Sequence, residues 1–281
     1  MAKGIGLIGN FRGKVGNMVG YNLKDSNNKQ TQGVRVYQPV VKNPKTYAQA
    51  EQRAKLAPIN ATYRMLKMII DRGQENKAYG NKSRLAWLKQ ALKDFNGGWF
   101  EKGATILSPA GCQLTKGTLI IPMSYDYDKD EEGMAFSVDF TGEAPATFGA
   151  LSTALLATYP TLKAGDQITF GVIKGGSRAI NCNPQSFIID TASTVALPST
   201  IYFSESTLVL QTSGYGAGMG GFLILSREGD NGEHLRSNSS IVFRDYTTPM
   251  EWDTPEGKEK AVRSYMGATG TTDWPEEQIQ G

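Results

Sequence analysis

The chain has 281 residues, 40% hydrophobic and 20% charged, a composition that excludes a disordered chain and leaves room for one large domain or two ordinary ones. No stretch approaches the roughly 20 apolar residues of a membrane helix. The opening residues also lack the continuous apolar run of an export signal, so synthesis and residence in a cytoplasm are expected. The net charge of +3 hides a split: residues 1–100 hold 18 Lys and Arg against 5 Asp and Glu, a net of +13, and the remainder carries −10. A division of that size predicts two regions facing different partners.

In chain order, residues 1–23 carry Gly at 4, 6, 9, 13, 16 and 20 between apolar residues, too Gly-rich for a stable helix and too apolar for a free tail. An extended arm packed closely on something fits that pattern. A hairpin is predicted from strands at 14–23 and 34–41, joined by the polar loop from Asp25 to Gly33, with Pro39 marking a sheet edge. Thr46 and Gln49 form a capping box for a helix from about 47 toward 72, interrupted or restarted at Pro58. A second helix is predicted over 84–95, capped by Ser83, with Leu85, Leu88, Leu92 and Phe95 as its apolar stripe.

From residue 99 the period shifts toward 2. Strands are predicted at 104–108, 117–124, 134–140, 167–174, 185–190, 200–203, 206–212, 221–226 and 240–244, with one helix at 150–158. Thr254-Pro255-Glu256-Gly257 starts a short helix through about Tyr265, and the end of the chain is expected to be ordered only by a partner. The fold expected is α+β: a Gly-rich basic arm or β-hairpin over 1–42, a helical pair over 43–98, an antiparallel β-sandwich over 99–245 and a tail over 246–281.

Motifs for catalysis are thin. Gly4-Ile5-Gly6-Leu7-Ile8-Gly9 matches G-x-G-x-x-G, but no strand precedes it and Gly13 and Gly16 spoil the helix that must follow. The Gly-rich run from Gly214 to Gly221 lacks a Gly-Lys-Ser/Thr ending and reads as a hairpin loop. Asp126 to Gly133 lacks the sixth-position Gly and twelfth-position Glu of a calcium loop, so it reads as an acidic hairpin turn. His234 is the one histidine, in an apparent turn, and Cys112 and Cys182 read as free thiols. No catalytic residue, metal ligand or cofactor is assigned. The positive signal is the basic set Lys3, Arg12, Lys14, Lys24, Arg35, Lys42, Lys45 and Arg53, interleaved with Tyr21, Tyr37 and Tyr47. Such a surface suits a partner protein or sequence-independent contact with nucleic acid.

Gly13-Lys14-Val15-Gly16-Asn17-Met18-Val19-Gly20-Tyr21, then Val34-Arg35-Val36, Asn43-Pro44-Lys45-Thr46-Tyr47-Ala48-Gln49 and Gln52-Arg53 form a signature. It resembles an uncharacterised family of Bacteroidota and their bacteriophages. Leu223 to Arg227 and His234 to Ser237 are similar to that family's late strands. The resemblance implies an immunoglobulin-like β region and a non-enzymatic, virion-associated protein made in the bacterial host cytoplasm. It identifies no binding residue. The expected role is that of a minor capsid, connector, tail or internal component that contacts other virion proteins and forms homo-oligomers away from membranes. The alternatives are a nucleic-acid binder acting in genome packaging or organisation, and a surface carbohydrate-binding β module.

Overall fold

The computed structural model describes residues 13–24, 30–37, 46–95, 97–106, 109–110, 113–175, 180–212, 218–230, 232–243 and 254–266. The fold is α+β, and every strand ladder in it is antiparallel. The chain divides into two compact units, residues 1–45 and 46–281.

The first unit is a three-stranded sheet, β1 (Gly13–Val15), β2 (Met18–Lys24) and β3 (Gln30–Val36), in the order β1-β2-β3. The single strand predicted over 14–23 is broken by a two-residue hairpin turn at Gly16-Asn17, where Gly16 takes φ +56°. Left-handed backbone at the first turn position matches the strand twist and is open chiefly to Gly. Strand β3 starts four residues earlier than predicted, because the polar Gln30 to Gln32 pair with Asn22 to Lys24. Residues 38–45, including Pro39, lie outside the described residues.

The second unit opens with α1 (Tyr47–Met65), capped as predicted by the Thr46 hydroxyl, which accepts from the Gln49 N–H at 3.4 Å. The predicted break at Pro58 does not occur. Pro58 is buried inside one continuous helix, and the Thr62 hydroxyl donates to its carbonyl at 3.0 Å. The same Thr62 oxygen accepts from the Ala110 N–H at 2.8 Å, which ties the helix to a loop 48 residues further along the chain. A short α2 (Lys67–Ile70) follows, then α3 (Asn81–Lys93), which begins earlier than predicted. Ser83 is not its cap; Ser83 is buried, and its hydroxyl donates to the Ile70 carbonyl at 2.6 Å. The buried face of α3 is Ser83, Trp87 and Ala91, while Leu85 of the predicted stripe is exposed. Leu88, Leu92 and Phe95 of that stripe are half-buried and pack against the same core, so the predicted face is rotated toward Trp87 rather than replaced.

Six-stranded and four-stranded sheets form the β part. The six strands are β7 (Gln167–Gly175), β8 (Ile180–Cys182), β9 (Gln185–Ile188), β12 (Gly218–Glu228), β13 (His234–Arg236) and β15 (Val242–Phe243), with β12 paired along β7 at the centre. The four are β5 (Asp126–Asp128), β6 (Gly133–Ser137), β10 (Ile201–Ser204) and β11 (Thr207–Leu210), in the order β10-β11-β6-β5. A separate pair joins β4 (Gln113–Thr115) to β14 (Ser239–Ser240). No sheet closes on itself among the described residues.

Alternation along β12 explains the layering. Leu223 and Leu225 point with Ile168, Phe170 and Val172 into a core shared with Met134, Phe136, Leu208 and Leu210 of the four-stranded sheet and with Leu151 and Leu155 of α4 (Phe148–Thr158). Phe222 and Ile224 point the other way, with Ile173, onto Ile59, Leu66, Ile70, Trp87 and Ala91 of the helices. The helical region therefore shares a core with the sheets. Both faces of the central strands are covered there, which is why β12 carries no polar side chain from Gly218 to Leu225.

The predicted strand over 117–124 does not form a ladder. Leu119 makes a single bridge to Ser237, and Pro122 cannot donate. Its alternation still directs side chains: Leu119, Ile121 and Met123 join the core and Ile120 is exposed. Residues 104–106 form no strand, and 107–108 lie outside the described residues. The helix predicted near the end is α5 (Pro255–Tyr265), with the Thr254 hydroxyl accepting from the Gly257 N–H. Its Ala261 and Val262 pack on Ala50, Ala54 and Trp99. The chain after residue 266, expected to depend on a partner, lies outside the described residues.

Candidate functional site

Register in the three-stranded sheet sorts its side chains onto two faces. Met18 pairs with Val36 and Gly20 with Val34, so Met18, Val34 and Val36 share one face. All three are exposed, Val36 at 72%, Val34 at 56% and Met18 at 45%. Lys14 pairs with Val19 and Val19 with Arg35, which sets those three on the opposite face in one row. Adjacent strands lie about 4.8 Å apart, so the two cationic positions are roughly 10 Å from each other.

Aromatic rings complete the cationic face. The Lys14 ammonium sits 3.5 Å from the centroid of the Tyr37 ring. Tyr37 is fixed by its N–H, which donates to the Asn17 carbonyl at 2.6 Å. The Tyr21 ring lies across Gly33, where a Cβ would come within 2.7 Å of it. Glycine at 33 thus gives the ring its place, an aromatic side chain covering a bare stretch of backbone. The chemistry available is a flat surface with two cations and two rings on one side and aliphatic side chains on the other.

Of the predicted contact residues, the structure brings Lys14 and Arg35 together. Lys24 ends β2, and its side chain is outside what the structure describes, as are Lys3, Arg12, Lys42 and Lys45 altogether. Arg53 lies on α1 in the second unit and is half-buried. Periodicity alone does not reveal the apolar face, because the turn at Gly16-Asn17 falls inside the predicted strand over 14–23 and shifts the alternation on either side of it. The Gly-Asn pair is itself a hairpin signal.

Elsewhere the reactive side chains are tied into structure. Cys182 packs against the helical core, and burial pushes its thiol up to about 12, which leaves little thiolate at neutral pH. Cys112 lies outside the described residues. His234 is exposed at the start of β13, with its ring stacked 6.0 Å from Tyr79. The acidic stretch forms a hairpin turn between β5 and β6, where the Asp128 carboxylate accepts from the N–H groups of Asp130 and Glu131. The Gly-rich run after residue 213 gives Gly218, Gly220 and Gly221 to β12, with a bulge between Gly218 and Gly220; residues 213–217 lie outside the described residues. Among the described residues, no group of three or more His, Cys, Asp or Glu is placed to hold a metal, and no helix is long and apolar enough to cross a membrane. No family model, curated protein or solved structure matches the chain.

Proposed function

We propose that this chain is a non-enzymatic structural component of a phage virion, assembled through subunit–subunit contacts that its N-terminal sheet makes. The observation that carries the reading is the exposed aliphatic face of Met18, Val34 and Val36 on a sheet of only three short strands. A sheet of that size gains stability by covering such a face. Among the described residues β1 and β3 each pair on one side only, so both edges offer backbone donors and acceptors to a further strand.

The occupant we assign is a neighbouring copy of the same chain. Residues 1–100 carry +13 and the remainder −10, so each copy holds both halves of a complementary pair. A head-to-tail contact of this kind builds rings or extended arrays, as a particle component requires. The two packed sheets, read as a β-sandwich body, would supply bulk and shape. The resemblance of residues 13–53 to a phage-associated family supports the virion setting. Light scattering on the purified full chain tests the reading. Oligomers are expected, reduced to monomers by Val34→Lys with Val36→Lys; a wild-type chain that stays monomeric at high concentration contradicts it.

The second reading, sequence-independent nucleic-acid binding, is favoured by the opposite face, where Lys14 and Arg35 flank aromatic rings suited to stacking. A gel shift across a salt series separates the two. Binding that weakens steeply with salt and is lost in Lys14→Glu with Arg35→Glu supports the nucleic-acid reading.

A further inference from the structure

Helices α1–α3 cover only part of the outer face of the six-stranded sheet, and that face changes character where they stop. On β12 it runs Phe222, Ile224, Ser226; on β7 it runs Ile173, Gly171, Thr169, Gln167. Register sets Arg236, Ser226 and Gln167 side by side, with Ile224, Thr169 and Ser186 in the next row. Gln167 donates to the Ser186 hydroxyl at 3.0 Å. Met68, Ile69 and Arg72 wall this floor on one side and Asn183-Pro184 on the other, enclosing a groove of about 320 Å³. That volume lies within the range of small-molecule sites, roughly 300–1,000 Å³.

Two guanidinium groups line the groove, and neither forms an ion pair with a described carboxylate. Glu75, whose charge acts on Arg236, spends its oxygens on the backbone N–H of Arg236 and on the N–H and hydroxyl of Thr118. The Arg236 guanidinium donates to the Leu235 carbonyl at 3.1 Å. Burial, with the Arg72 charge added, holds Arg236 below the ordinary guanidinium value, only partly offset by Tyr79 and Glu75. Glu75 offsets the two neighbouring cations only in part, and its oxygens are taken up by N–H and hydroxyl donors, so the arginines, set above amides and hydroxyls, form a receptor that an oxyanion completes.

We infer that this groove binds a small polyhydroxylated acid, with its oxyanion between Arg72 and Arg236 and its hydroxyl groups over Gln167, Thr169 and Ser186. The site is independent of the N-terminal sheet and goes beyond the assembly role. A carboxylate and a phosphate share the chemistry that the two arginines recognise, and the floor selects for the sugar-like remainder.

Isothermal titration calorimetry on the full chain at low salt tests this, with glucuronate, glucose 6-phosphate, inorganic phosphate and glucose as the probes. Glucuronate, glucose 6-phosphate or both are expected to bind, the stronger naming the acid group, while glucose gives no heat. Arg72→Gln, at an exposed position, is expected to weaken binding about tenfold or more. Thr169→Val is expected to weaken the sugar acids and leave inorganic phosphate unchanged. The inference is overturned if neither acid binds, if glucose binds as well as the acids, or if inorganic phosphate matches glucose 6-phosphate. Binding unaltered in both Arg72→Gln and Arg236→Gln overturns it as well. None of these results touches the oligomeric state, so failure here leaves the assembly reading standing.

Discussion

Asp166 is a buried carboxylate that ties two parts of the β region together. Its carboxylate is 1% exposed and accepts from Arg227 Nε and Nη2, at 2.6 and 2.7 Å, and from the Lys163 N–H at 2.8 Å. Arg227 also donates to the Thr161 carbonyl at 2.9 Å, so the pair fixes the loop before β7 to the end of β12. Removing one partner leaves a buried charge uncompensated. Arg227→Ala, which orphans the buried carboxylate, is therefore expected to cost about 3–5 kcal/mol in urea denaturation. Glu75 plays a related part in the loop between α2 and α3. Burial works to raise its carboxyl, but the bonds from Arg236 and Thr118 outweigh it and hold the group below its usual 4.5. A carboxyl lowered by folding stabilises the fold above its unfolded value and loses that contribution as pH falls through the folded one. Glu51, held low by Lys258 and Lys55 against burial, acts in the same direction on the α1–α5 contact. Stability is thus expected to fall as pH drops below about 4.5, and Glu75→Gln is expected to lower stability at neutral pH and flatten that acid limb. An acid limb of unchanged slope in the variant contradicts the assignment.

At the scale of elements, α1 shows how a buried side chain overrides a local rule. Proline inside a helix removes one donor and commonly breaks the element. Here Pro58 is packed in the core, and Thr62 bonds both its carbonyl and the Ala110 N–H. Thr62→Val keeps the volume and leaves the Ala110 N–H without that partner, for an expected loss of about 1–3 kcal/mol. The caps of α1 and α5, the positions of α4, β7, β11 and the core of β12, and the acidic turn were legible in the sequence. Their signals are local: a hydroxyl before a helical run, or alternation along one strand. What was not legible depended on partners distant in sequence. The buried face of α3 is chosen by α1 and by the Ile70 carbonyl that receives Ser83. Strands β4, β8 and β13 have three residues each, too short for a period to register. The groove was invisible for the same reason, because Arg72, Thr169, Ser186 and Arg236 meet only through sheet register and the place where the helices end.

For the whole molecule, the charge division near residue 100 does not coincide with the packing division. Residues 46–95 are basic in composition yet share a core with the six-stranded sheet, and the separate unit is residues 1–45. Charge records what a surface faces, whereas the core records what it packs against; a reading from composition merges the two. Under the proposed assembly role, the exposed aliphatic and cationic faces of the first unit are understood as surfaces for another macromolecule.

Oligomeric state, measured by multi-angle light scattering on the full chain and on Val34→Lys with Val36→Lys, tests that understanding most directly. The account predicts a concentration-dependent oligomer for the native chain, and a monomer with unchanged circular dichroism for the variant. A native chain that remains monomeric throughout, or a variant that still assembles, would contradict it.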